Sequence, residues 1–115
     1  MAASLVDKLR AARRFQVTEA GHAYTLRRPT DAEVAEMRRA GDVSALDLVR
    51  RYVVGWDHTE LSLGLPGGGP EPATFDADLW AEWVADQPAL WAPLSTAILD
   101  AYSRHDEARS SAEKN

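Results

Sequence analysis

The sequence predicts an α+β fold that is mainly α, an N-terminal β-hairpin followed by about four helices, and three features carry that expectation. Two short segments, Phe15-Gln-Val17-Thr and Ala23-Tyr24-Thr-Leu26, alternate apolar and polar residues with the period of a strand. Glu19-Ala-Gly21 lies between them, and glycine tolerates the positive φ of a tight turn. From Asp31 onward apolar residues recur at helical spacing between identifiable caps, and a Pro/Gly stretch, Leu65-Pro-Gly-Gly-Gly-Pro70, separates two helices from two more.

Taken in order, Ser4 to Arg14 offers Leu5, Leu9 and Ala12 at helical spacing among charges, a short helix of weak amphipathicity. After the hairpin, Pro29 ends the second strand, and Thr30-Asp-Ala-Glu33 has the spacing of a capping box. The helix this starts runs from about Asp31 to Ala40 with Val34 and Met37 inward and Gly41 as its stop. Asp42 or Ser44 caps the next, whose apolar face comprises Val43, Leu46, Leu48, Val49, Tyr52 and Val53, with Gly55 at its end. Trp56 to Ala73 reads as an ordered loop pinned by Trp56, Leu61, Leu63 and Leu65. Asp76 is the N-cap of a helix that Phe75 staples, with Leu79, Trp80, Trp83 and Val84 as its stripe. The last helix begins near Pro88 or with Pro93 at its first position and carries Leu90, Trp91, Leu94, Ala97, Ile98, Ala101, Tyr102 and His105. The 115 residues form a single domain, with roughly eight residues at each end expected to fray.

The composition, 45% hydrophobic and 27% charged, is that of a folded soluble protein. No apolar run approaches a membrane span, and Met1 to Asp7 lacks the pattern of a signal peptide, so a cytoplasmic location is expected. The absence of cysteine excludes disulfides and thiolate chemistry. Charge is unevenly placed: residues 1–54 carry ten Lys/Arg against seven Asp/Glu, whereas residues 55–115 carry three against eleven. The halves can pair within one fold or between copies.

Catalysis fails on inventory, because serine or threonine with His22, His58 or His105 is all that remains and none lies in a recognisable nucleophile context. Asp57-His58-Thr-Glu60 has metal-ligating residue types, but a solvated loop explains it as well, and no metal or cofactor is expected. Gly67-Gly-Gly69 lacks the ending of a phosphate loop and reads as a turn. Four Arg pairs can track phosphates, but the acidic second half argues against nucleic acid. Tryptophan at positions 56, 80, 83 and 91 belongs first to the core. The Trp80 helix is nevertheless apolar over much of its circumference, which marks Trp80, Trp83, Phe75 and Trp56 as candidate partner-binding residues.

Several segments, in order and spacing across residues 8–105, resemble the tail assembly chaperones of long-tailed (siphovirus-type) bacteriophages and prophages. They are Tyr24-Thr-Leu-Arg-Arg-Pro-Thr-Asp-Ala-Glu33, Val53-Val-Gly-Trp-Asp57, Pro66-Gly-Gly, Phe75-Asp through Trp83, Trp91-Ala-Pro-Leu, Ala97-Ile and Ala101-Tyr102. The resemblance implies a non-enzymatic protein of the bacterial cytoplasm, absent from the mature virion, that binds the tape measure protein and keeps it soluble while the tail tube forms. It also implies self-association, and a frameshifted, extended form that recruits the tail tube protein. Glu113-Lys114-Asn115 can be encoded as GAA AAA AAC, which contains a slippery sequence in the required phase. The family has no catalytic residues and no fixed binding motif to transfer. The alternative is another small phage structural, connector or host-factor-binding protein without enzymatic activity.

Overall fold

The computed structural model describes residues 4–114 and contains α1 (Leu5–Ala12), β1 (Arg14–Glu19), β2 (His22–Arg27), α2 (Asp31–Ala40), α3 (Ala45–Tyr52), β3 (Val53–Trp56), α4 (Glu60–Leu63), α5 (Ala77–Val84) and α6 (Pro88–Lys114). The mainly helical α+β class and the N-terminal hairpin are as the sequence predicts. Met1 to Ala3 and Asn115 lie outside the described residues, and with them part of the fraying expected at both ends.

Caps explain where most helices start. Thr30 and Glu33 complete the predicted capping box, with the Glu33 amide donating to Thr30 Oγ1 at 3.1 Å and the Thr30 amide to Glu33 Oε1 at 3.0 Å. Ser44, rather than Asp42, caps α3, and Asp76 caps α5 by accepting the Leu79 amide at 2.9 Å. The staple before α5 is present too, with the Phe75 and Trp80 rings 6.3 Å apart. Each such cap stabilises its helix by about 1 kcal/mol.

The segment expected to finish the third helix instead forms a third strand. β3 pairs antiparallel with β2, giving the order β1-β2-β3, with a register shift between Thr25 and Leu26. Helical spacing also suits Val53, four residues after Val49, so periodicity alone did not separate the two outcomes. The second edge of β2 decides it: Ala23 accepts the Asp57 amide at 3.1 Å, and Val53-Val54 are β-branched residues that fit a pleated surface. Gly55 then faces Thr25, whose Cβ would stand only 3.1 Å from any added Cβ.

The predicted loop from Trp56 to Ala73 holds one helical turn, α4, capped by Thr59. Gly64 and Gly67 take up positive φ of 79° and 70°, and Gly68 allows a close approach, since a Cβ there would lie 2.7 Å from the main-chain carbon of Glu60. α6 starts at Pro88 and runs through Pro93, which gives up one helical hydrogen bond. Leu90, Leu94 and Ile98, all buried, hold the helix against the core on both sides of that position. α6 also continues to Lys114, through the polar segment expected to fray. There Arg109 pairs with both Asp106 and Asp31, and Tyr102 donates to Asp31 at 2.7 Å.

One core gathers Tyr24 and Leu26 from β2, Leu48, Val49 and Tyr52 from α3, Val53, Trp80 and Val84, and Leu90, Leu94 and Ile98 from α6. The outline is elongated, 56 × 42 × 23 Å with a radius of gyration of 16.0 Å, against about 13 Å for a compact chain of this length. The protruding half of α6 and the exposed α1 account for the difference.

Candidate functional site

The four tryptophans act as staples. Each indole N–H donates to a main-chain carbonyl: Trp56 to Ala73 at 2.8 Å, Trp80 to Val49 at 2.8 Å, Trp83 to Leu63 at 2.9 Å and Trp91 to Val84 at 2.7 Å. They thereby tie β3 to the loop, α5 to α3 and α4, and α6 to α5. Trp56 is the hub of the ring cluster, at 5.1 Å from Phe75, 6.0 Å from Trp80 and 6.4 Å from Trp83, mostly edge to face.

This arrangement takes Trp80 out of the contact surface expected from sequence. Trp80 is 0% exposed and has nothing to offer a partner without unfolding. Trp56, Phe75 and Trp83 are half-buried and packed on the same cluster. The apolar surplus of α5 is absorbed by α3, α4 and β3, neighbours that helical periodicity does not reveal.

Inside the cluster sits His58, buried at 3% exposure. Its Nε2 lies 2.7 Å from Tyr24 Oη and its Nδ1 2.8 Å from Ser62 Oγ. Ser62 Oγ donates to the Thr59 carbonyl at 3.0 Å, so the assignment that satisfies every group is a neutral imidazole. In it, Tyr24 donates to Nε2 and Nδ1–H donates to Ser62. Burial, then the neighbouring His22, pushes the His58 pKa down to about 4, and burial with the charges of Asp57 and Glu19 pushes Tyr24 up to about 12.

A serine beside a histidine resembles a nucleophile and its base, but the chemistry is unsuited to it. A base that binds its proton only near pH 4 is a weak acceptor at neutral pH. Ser62 Oγ also accepts the Thr59 amide at 2.8 Å as part of the α4 cap. The network latches β2 to α4. His22 stacks on His58 at 4.0 Å between centroids and bonds Asp57 at 3.1 Å, closing the latch from outside.

The Asp57-His58-Thr-Glu60 segment is split by the fold: Asp57 turns to His22, His58 turns inward and Glu60 is exposed. Among the described residues no three His, Cys, Asp or Glu side chains converge. None of the described helices is long and apolar enough to cross a membrane.

Exposed apolar surface lies elsewhere. Leu5, Val6 and Leu9 on α1 are 82%, 55% and 58% exposed, and no α1 residue is buried. Lys8 and Arg10 flank this stripe on the same short helix. Leu61 on α4 and Leu99 on α6 are the other large apolar side chains exposed among the described residues. A shallow apolar recess of about 350 Å³ beside Leu99 is lined by Val34, Met37, Val43 and Leu48. The sequence did carry the signal for α1, in Leu5 and Leu9 at i, i+4, but a sequence does not say that this stripe goes uncovered.

No protein-family model, no curated protein and no solved structure matches this chain. Geometry and the resemblance in the motif order therefore carry the functional reading.

Proposed function

We propose that this protein is a non-enzymatic tail assembly chaperone of a long-tailed phage or prophage, which binds the tape measure protein and keeps it soluble during tail tube assembly. The observation that carries the reading is the apolar face of α1, where Leu5, Val6 and Leu9 stand in solvent beside Lys8 and Arg10. A holdase needs apolar anchors that are accessible, few and ringed by charge, so that a client helix is held without being buried for good. The ordered motifs from Tyr24 to Tyr102 resemble those of the family, and the exposed face is a surface suited to its client.

In this reading the protein acts in the bacterial cytoplasm, self-associates and is left out of the mature virion. An extended, frameshifted form recruits the tail tube protein. The charge distribution favours association between copies. Arg27 and Arg51 pair with Glu33 of their own half, while Asp76, Asp78, Glu82 and Asp86 form no ion pair among the described residues.

Co-expression with the neighbouring tape measure gene tests the reading. The expected result is a soluble client that elutes with the chaperone, and a Leu5→Ser/Leu9→Ser variant that loses it. A client whose solubility does not change, with no complex on gel filtration, overturns the reading. Detection of the chain in purified virions would favour a structural connector instead, and salt-sensitive retention on DNA a nucleic-acid binder.

A further inference from the structure

β1 is an edge strand whose open side can be read from its ladder. Ala20 and Gly21 have φ of 51° and 79°, the two positive values of a type I′ turn, so the flanking Glu19 and His22 are a hydrogen-bonded pair and such pairs alternate down the hairpin. The Arg28 amide donates to the Arg13 carbonyl at 2.8 Å, which fixes the same alternation at the far end. Arg13, Phe15, Val17 and Glu19 therefore direct their main-chain groups to β2. Those of Arg14, Gln16 and Thr18 point the other way, along an edge that no strand among the described residues covers.

Beside this edge runs a groove between β1 and α6. One part, about 550 Å³, has Phe15, Val17, Ala97 and Ala101 as its apolar lining and Arg14 and Arg104 on its rim. A second part, about 620 Å³, shares Ala12, Arg13 and Arg28 with the first and continues past Leu9 towards Asp31. Arg13, Arg14, Arg28 and Arg104 have no carboxylate partner among the described residues. The carboxylates nearby are Asp31, already held by Arg109 and Tyr102, Asp100 on the α6 wall and Glu19 at the turn.

We propose that the open edge of β1 is a strand-addition site for an acidic segment of a partner protein in which apolar residues alternate with Asp or Glu. An extended chain paired with Arg14, Gln16 and Thr18 sends every second side chain towards α6, onto Phe15, Val17, Ala97 and Ala101. Its remaining side chains lie on the open face of the sheet, which Arg14 shares, while Arg13, Arg28 and Arg104 line the groove itself, so that carboxylates beside the apolar positions meet guanidinium groups there. Main-chain hydrogen bonds, apolar burial and charge thus converge on one ligand chemistry.

A second copy of this chain does not supply that segment. Its acidic residues Asp78 and Glu82 lie on the helix α5, with Asp86 just past its end, and their small neighbours are alanines, because Trp80 and Val84 are buried and Trp83 is half-buried. The proposal is also independent of the chaperone reading, since it concerns the edge of β1 and names no client.

The test is fluorescence anisotropy of the full chain with a fluorescein-labelled peptide of five Glu-Val repeats, against the same peptide with Lys for Glu. The acidic peptide is expected to bind at least about tenfold tighter at low salt and to weaken at about 500 mM NaCl. Gln16→Pro or Thr18→Pro is expected to weaken it about tenfold, because each removes an outward amide and leaves the ladder to β2 intact. In the unaltered chain, bound peptide is expected to slow amide hydrogen exchange at Arg14, Gln16 and Thr18. That measurement decides the question should either proline variant unfold in a melting scan. Equal affinity for both peptides, binding indifferent to Gln16→Pro in a folded variant, or unchanged exchange at those amides overturns the proposal. So does a dimer in sedimentation that Gln16→Pro abolishes, which would give the edge to a second copy.

Discussion

Replacing Trp80 by Phe separates the tryptophan cluster's structural role from client binding. Trp80 is fully buried, and its indole N–H donates to the Val49 carbonyl at 2.8 Å. Phenylalanine leaves a void of roughly 40 Å³, costing about 1 kcal/mol at the usual ~24 cal/mol per Å³ of cavity. The lost buried hydrogen bond adds about 1 kcal/mol, softened because Val49 keeps the Val53 amide as a second donor. Weaker ring contacts with Tyr24, Trp56 and Trp83, now at 5.6, 6.0 and 5.9 Å, add up to about 1 kcal/mol. The expected loss is about 2–3 kcal/mol, or a fall of roughly 8–15 °C in Tm. Urea unfolding followed by far-UV circular dichroism measures it. Leu9→Ser, at a 58% exposed position, is expected to leave stability within about 0.5 kcal/mol and to weaken client retention. The reasoning fails if Trp80→Phe is as stable as the parent, or if it abolishes client retention while Leu9→Ser leaves retention untouched.

Three further outcomes follow from buried polar groups and close packing. His58 is held neutral with its pKa down at about 4 against an ordinary 6.5, so the unfolded chain binds the extra proton between those values and stability falls as pH drops from about 6.5 to 4. The slope approaches at most about 1.4 kcal/mol per pH unit, and His58→Gln is expected to flatten it in urea titrations across that range. Tyr52 Oη is buried without a hydrogen-bond partner among the described residues, so Tyr52→Phe is expected to be neutral or to raise stability by up to about 1 kcal/mol in the same assay. Gly68→Ala forces a Cβ against the main chain of Glu60 and is expected to cost about 1–3 kcal/mol; a melting temperature equal to the parent's would show that the loop gives way freely.

Much of the fold was legible because its signals are local. Thr30 and Glu33, Ser44, Asp76 and the Phe75 staple mark helix starts through bonds spanning three to five residues, and the alternation at Phe15 to Leu26 with a turn at Gly21 marks the hairpin. What was missed depends on distant neighbours. Val53 to Trp56 is a strand because β2 has a free edge, and Pro93 sits inside α6 because the core grips Leu90, Leu94 and Ile98. His58 gave no sign in sequence of the Tyr24 hydroxyl that meets it from 34 residues away.

The candidate site shows the same division. By itself the sequence determined that four tryptophans and a glycine-rich loop form the hub of a small, mainly helical domain, since composition and caps are properties of the chain. Which apolar residues would face water was decided by tertiary structure alone. The α5 stripe finds partners for each of its rings in α3, α4 and β3, whereas the modest stripe of α1, next to an edge strand, finds none. Burial is a relation between segments far apart in sequence, and periodicity within one segment carries only half of it.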